Sequence, residues 1–138
     1  MELRLTAGGV VLNEKQEVLV VNQKRTSWSL PKGGIDPGEE SLEAAKREIF
    51  EETGVSQLDF IKKLGEYERY GTALDGGDDT KHPKKKITMF LFRTNQMELQ
   101  PRDPYNPEAR WVKKEDVADL LTHRKDKKFF LSILPDLE

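Results

Sequence analysis

Near its middle the chain reads SLEAAKREIFEETG from Ser41 to Gly54, and Glu48, Glu51 and Glu52 fall three and four positions apart. Residues at those separations are neighbours on a helix surface. Glu48 and Glu52 therefore stack along one flank with Glu51 beside them, and Arg47 lies one turn from both Glu43 and Glu51. On a wheel of about 100° per residue, Leu42, Ala45, Ile49 and Thr53 share the stripe expected to face a core. The carboxylates then sit at the edge of the buried face. Such a cluster is either a solvated acidic surface, since like charges four apart cost only about 0.2–0.5 kcal/mol per pair, or a set of hard oxygen donors with a guanidinium beside it. Spacing alone leaves both open.

The elements that must carry these residues are partly legible. Ser41 is the expected N-cap, Glu43 complements the first turn, and Gly54 supplies a left-handed stop. Leu3 to Leu12 and Glu17 to Asn22 read as strands joined by a polar turn at Asn13 to Gln16. Gly8-Gly9 inside the first marks a bulge or a close backbone approach. Gln23 to Glu40, with Pro31, Gly33, Gly34, Pro37 and Gly38, is too broken for helix or strand. Leu58 to Tyr70 is extended with a kink at Gly65, and Gly71 to Pro83 is a loop. Ile87 to Arg93 is an apolar strand buried on both faces. Thr94 to Pro107 is a proline-rich loop, Ala109 to Val112 a short strand, and Glu115 to Leu121 and Asp126 to Ile133 are helices. Strands around one strong helix, with helices at the end, imply an α/β sandwich.

Composition narrows the chemistry. The 138 residues carry 23 Lys and Arg against 25 Asp and Glu, for a formal net charge of −2. This is no global basic field for nucleic acid. The absence of cysteine excludes disulfides and thiolate metal sites. No apolar run approaches the roughly 20 residues of a membrane span, and Met1 to Arg4 lacks a signal-peptide pattern. No repeat or linker interrupts residues 1–138, so one domain, cytoplasmic in location, is the expectation.

From Gly33 the sequence GGIDPGEESLEAAKREIFEETGV resembles the signature of the Nudix hydrolase family at every specified position: Gly33, Glu39, Arg47-Glu48, Ile49, Glu51-Glu52, Gly54 and Val55. At ordinary residue frequencies these would coincide on the order of once in 10⁸ starting points, against about 10² offered here. The segments AGGVV at Ala7 and ARWV at Ala109 are similar to Nudix sequence too. The resemblance implies an α/β/α sandwich with a mixed β-sheet and a loop–helix–loop catalytic box. It also implies metal-dependent hydrolysis of a phosphoanhydride in a nucleoside diphosphate linked to another group.

By that resemblance Glu48 and Glu52 are direct metal ligands, assisted by Glu51 and the Gly33 carbonyl. Oxygen donors, with only His82 and His123 as imidazoles, favour Mg²⁺, or Mn²⁺, over zinc. Glu51 or Glu48 is the expected general base, with Glu108 as a remote candidate unless it simply pairs with Arg110. Arg47 orients a box glutamate, Glu39 braces the loop and Gly54 ends the helix. Lys24, Arg25 and Lys32, together with Lys86 in the Lys84 to Lys86 run, are candidate phosphate contacts. Tyr70 and Trp28 are candidate base-stacking residues, packing being the alternative. The stretch from Trp28 to Glu39 (WSLPKGGIDPGE) resembles diadenosine polyphosphate hydrolases and diphosphoinositol polyphosphate phosphohydrolases, so a small-molecule polyphosphate such as diadenosine tetraphosphate is the expected substrate. Diphosphoinositol polyphosphates, nucleoside triphosphates and RNA 5′-pyrophosphates are alternatives. RNA ranks lower because Lys32 stands where RNA pyrophosphohydrolases typically have Gln. A non-catalytic nucleotide sensor is disfavoured by the intact box acids. Oligomeric state is not read from the sequence.

Overall fold

A computed structural model describes residues 3–23, 27–102 and 108–137. Its elements are β1 (Arg4–Leu12), β2 (Glu17–Gln23), β3 (Ser27–Ser29), β4 (Lys32–Gly34), α1 (Ser41–Thr53), β5 (Asp59–Arg69), β6 (Gly71–Thr72), β7 (Asp78–Asp79), β8 (Lys85–Arg93), β9 (Glu108–Lys113), α2 (Val117–Leu120) and α3 (Arg124–Ile133). The sheet runs β3-β2-β1-β8-β5, with β4 on β1 and β9 on β2. β1 and β8 are parallel from Arg4↔Lys85 to Leu12↔Arg93, whereas the other pairings are antiparallel, so the sheet is mixed.

Because successive strand side chains point to opposite faces, β1 and β8 divide their apolar residues between two cores. Ala7, Val11, Phe90 and Phe92 pack with Ala44, Ala45 and Ile49 of α1. Val10, Leu12, Met89 and Leu91 pack on the other face with Val117, Leu121, Phe129, Phe130 and Ile133 of the C-terminal helices. This is the expected α/β/α sandwich. The glycine pair in β1 serves close approach. A Cβ on Gly9 would lie 2.8 Å from the Phe92 ring and 2.9 Å from the Ile49 side chain, and one on Gly8 would overlap Pro31 and Lys32.

Several local expectations are corrected. The broken stretch after Gln23 contains β3 and β4, which exist because β2 and β1 supply backbone partners at Asn22↔Trp28 and Ala7↔Gly33. The segment from Gly71 is a small hairpin, with Gly71↔Asp79 and Thr72↔Asp78 paired. Ser41 is inside α1. The N-cap is Glu40, without a side-chain cap bond. Gly54 does end the helix at φ 81°, donating its N–H to Phe50 at 2.8 Å. Beyond it, Gln100 and Arg102 donate backbone N–H groups to the carbonyls of Thr53 and Glu51, each at 2.8 Å. Those carbonyls would otherwise be orphans of the last turn.

Candidate active site

Arg47 ties the box together. Its Nε and Nη2 donate to the two Glu39 carboxylate oxygens at 2.8 and 2.9 Å. Nη1 donates to Glu48 at 2.8 Å, and Nη2 also reaches the Gly34 carbonyl at 2.9 Å. Glu39 additionally accepts from the Asp36 backbone N–H at 3.0 Å. The arginine thus joins the glycine-rich loop, its acidic brace and α1 with charge-assisted bonds, of which the fork onto Glu39 is bidentate. The hydrogen bonds from Arg47, then that from Asp36, pull the Glu39 pKa down to about 2. Glu51 stands farther out, 3.4 Å from Arg47 and half-exposed.

Glu48 and Glu52 differ from it. Both lie at the margin of the α1 core, and Glu52 is only 2% exposed. Burial raises the Glu48 pKa despite the bond from Arg47. Burial, and then repulsion from Glu48, raises that of Glu52 well above the carboxylate range. Glu52 Oε1 is buried with no hydrogen-bond partner. Gly33 packs so tightly on Glu48 that a Cβ there would overlap the carboxylate. Among the described residues no three His, Asp or Glu side chains converge closely enough to form a ready metal cage. The two carboxyls one helical turn apart, one with an orphaned oxygen, and the bare backbone of Gly33 against Glu48 nonetheless fit a hard divalent cation. A cation would remove the repulsion that burial has amplified.

The neighbouring residue Lys32 takes the other face of β4. Its ammonium is buried, donating to Ser29 Oγ and to the Leu30 carbonyl, and lies 3.5 Å from Asp126 of α3. The lysine named as a candidate phosphate contact is thus enclosed in an ion pair. Burial pushes the Lys32 pKa down to about 8, with Asp126 and Glu52 opposing the fall and Arg69 and Lys85 adding to it. Lys32 therefore sits within electrostatic reach of both the box acids and a cationic row.

That row crosses three strands. Arg4 pairs with Lys85 across β1 and β8, and Lys85 with Arg69 across β8 and β5. The three line a cleft of about 350 Å³ together with Thr72 and His82. Strand alternation explains why Lys85 occupies the cleft and Lys86 does not. Lys86 points to the opposite face, 3.4 Å from Glu66, and Lys84 is held 3.0 Å from Glu68. Tyr70 follows Arg69, its N–H bonded to Asp78 at 2.9 Å and the Lys84 ammonium 5.9 Å from its ring centre. Trp28 carries the Arg110 guanidinium 4.5 Å over its ring. Glu108 accepts from Arg110 at 2.7 Å and from Asn22 at 3.4 Å, the partnership weighed against its role as a remote base. Lys24 and Arg25 lie outside the described residues.

The sequence reading missed Asp126, Arg69 and Tyr67, and gave His123 no partner, where the structure gives it Asp78 at 3.1 Å. Asp126, Phe129, Phe130 and Ile133 fall at i, i+3, i+4 and i+7 and are all buried on α3. A carboxylate in a core position of an amphipathic stripe was the available signal.

The chain matches the NUDIX domain model over residues 2–133. It belongs to the Nudix family. This Nudix chain is 30% identical over 135 residues to an RNA pyrophosphohydrolase of Pelagibacter ubique, covering 91% of the chain and 85% of that relative. A shorter match, 49% over 61 residues, is to a putative 8-oxo-dGTP diphosphatase of Bacillus subtilis, covering 44% of the chain and 40% of that relative. Its fold is similar to that of a C. elegans Ap4A hydrolase in a binary complex, with TM-score 0.78, 22% identity and 97% of each chain covered. The Nudix chain is thus a phosphoanhydride hydrolase of a family that generally uses divalent metal ions and acts on small nucleotide substrates. No helix among the described residues is long and apolar enough to cross a membrane.

Proposed function

We propose that this Nudix hydrolase cleaves a phosphoanhydride within a chain of several phosphates, with a dinucleoside polyphosphate such as diadenosine tetraphosphate as the preferred substrate class. The observation that carries this is the presence of two unlike sites, box acids against Gly33 of β4 and a cationic row across β1, β8 and β5. The first holds the carboxyls of Glu48 and Glu52, one oxygen orphaned. The second is the row Arg4, Lys85 and Arg69 in a cleft of about 350 Å³. A cluster of anions needs a cation to approach phosphate, whereas a row of cations takes up the remaining phosphate charge directly.

Glu48 and Glu52 would hold Mg²⁺ or Mn²⁺, with Glu51 and the Gly33 carbonyl assisting. When bound, such an ion supplies neutralisation of phosphate oxygens and a more acidic water. Glu51, half-exposed and only loosely held by Arg47, is the better general base. Glu48 is already committed to a 2.8 Å bond from Arg47. In this reading Glu51 takes the proton of the attacking water, and the phosphorus–oxygen anhydride bond breaks with its electrons on the leaving phosphate. Arg47 positions the acids and Glu39 positions Arg47. Lys85 replaces Lys86 as the phosphate-facing lysine of the run. Tyr70, at the end of the β5 wall, is the stacking candidate.

The sequence relationship to an RNA pyrophosphohydrolase over most of both chains supports a second reading, removal of pyrophosphate from an RNA 5′ end. Incubating the protein and Mg²⁺ with diadenosine tetraphosphate or with a 5′-triphosphorylated oligoribonucleotide, followed by ³¹P NMR, separates them. ATP plus AMP from the dinucleotide at the higher kcat/KM is the expected result. Faster release of pyrophosphate from the oligonucleotide overturns the preference, and no cleavage of either overturns the substrate class.

A further inference from the structure

We propose that Asp126 of α3 is a positioning residue for phosphate binding, acting through Arg69 to fix the guanidinium on the wall of the cationic cleft. Asp126 is fully buried, yet four polar partners from three strands converge on it. Tyr67 Oη donates to Oδ1 at 2.5 Å, and Arg69 Nε lies 3.1 Å from the same oxygen. Lys32 Nζ and Ser29 Oγ each lie 3.5 Å from Oδ2. Arg69 is itself buried, its side chain 4% exposed. Its Nη1 donates to the Tyr70 carbonyl at 3.0 Å and to Thr72 Oγ1 at 3.2 Å, the latter on the cleft wall.

Burying two cations around one carboxylate is expensive, and apolar replacements of such clusters are often as stable or more so. Stability is therefore a weak reason for the arrangement, whereas geometry is a strong one. Ion-paired with Asp126 3.1 Å from Nε, where no hydrogen bond forms, and held at Nη1 by Tyr70 and Thr72, the guanidinium has little freedom left. A fixed donor loses less entropy on meeting phosphate than a free one. The same first turn of α3 also secures the hairpin. Lys125 lies 2.6 Å from Asp78, His123 Nε2 is 3.1 Å from it, and the Arg124 backbone N–H donates to Gly76 at 2.8 Å.

This inference rests on reading the cleft as a phosphate site, and its test uses binding so that it stands apart from turnover. Inorganic tripolyphosphate is titrated calorimetrically into the full chain and into R69M, D126N and R69M/D126N. By Coulomb's law alone, removing a negative charge near the cleft strengthens anion binding. Positioning predicts the opposite. D126N should weaken binding about tenfold, and in the R69M background it should change Kd less than twofold. Unchanged or tighter binding by D126N overturns the inference, as do effects that multiply in the double variant or a native chain that binds no tripolyphosphate. If D126N does not fold, Y67F replaces it in the same cycle, because it removes one bond to Asp126 and no charge. Equal Kd values for Y67F and the native chain then overturn it. With diadenosine tetraphosphate the loss should appear in KM, with kcat changed less than threefold.

Discussion

At the scale of single residues, the two box acids at the margin of the core matter most to the proposed chemistry. Glu52 is 2% exposed, carries an unpartnered oxygen and is pushed far up in pKa by burial and by Glu48. Leaving a buried polar group unpaired costs free energy, and Gln keeps the shape without the charge. Glu52→Gln should therefore lower turnover by roughly a hundredfold or more while leaving Tm unchanged or higher. Parallel measurement of kcat and thermal unfolding checks both signs, and full activity in this variant removes Glu52 from the metal set. Arg47 was legible because its spacing to Glu51 is local. Its bonds to Glu39 and Gly34 depend on the loop folding back over α1 and could not be read from helical spacing.

Elements impose the next constraint, because the loop before α1 and the helix itself must meet without a gap. Gly33 sits where any Cβ would displace the Glu48 carboxylate. Gly33→Ala should cost little stability, because the atoms it meets are the movable end of the Glu48 side chain, but lower kcat at least about tenfold by shifting that carboxylate. Chemical denaturation and steady-state kinetics measure the two effects. The Glu39–Arg47 clamp has a pH signature. The Glu39 pKa falls from 4.5 to about 2 on folding, so its stabilisation is complete above pH 4.5 and is lost as pH falls towards 2. The stability difference between the native chain and Glu39→Gln, followed by denaturation from pH 6 to about 2, should shrink steadily below pH 4.5. A constant difference shows that the clamp does not titrate. The alternation of side chains along β8 decided the lysine run. Lys85 shares a face with Ile87 and enters the cleft, and Lys86 shares the opposite face and meets Glu66. Choosing between them required the register with β1 and β5.

For the whole molecule, metal binding and folding are one linked equilibrium. A divalent ion that binds only the folded chain stabilises it by about 2.7 kcal/mol at a hundred times its dissociation constant. Tm should therefore rise with added Mg²⁺, return on chelation and respond far less in Glu52→Gln. A Tm indifferent to Mg²⁺ contradicts the proposed ligand pair. Local physics was written in the sequence: the 3.6-residue period of α1, the left-handed stop at Gly54, the strand at β1, the apolar run of β8, and the box that specified the family. Those features depend on residues within a few positions of one another. What tertiary structure alone decided involves distant partners. β3 and β4 exist only because β2 and β1 offer hydrogen bonds, and the end of α1 is satisfied by Gln100 and Arg102. Lys32 became an interior cation only because α3, more than ninety positions away, brings Asp126 beneath it. A buried charge is tolerated only where a counter-ion meets it, and no local pattern of residues says which strand or helix will supply that counter-ion.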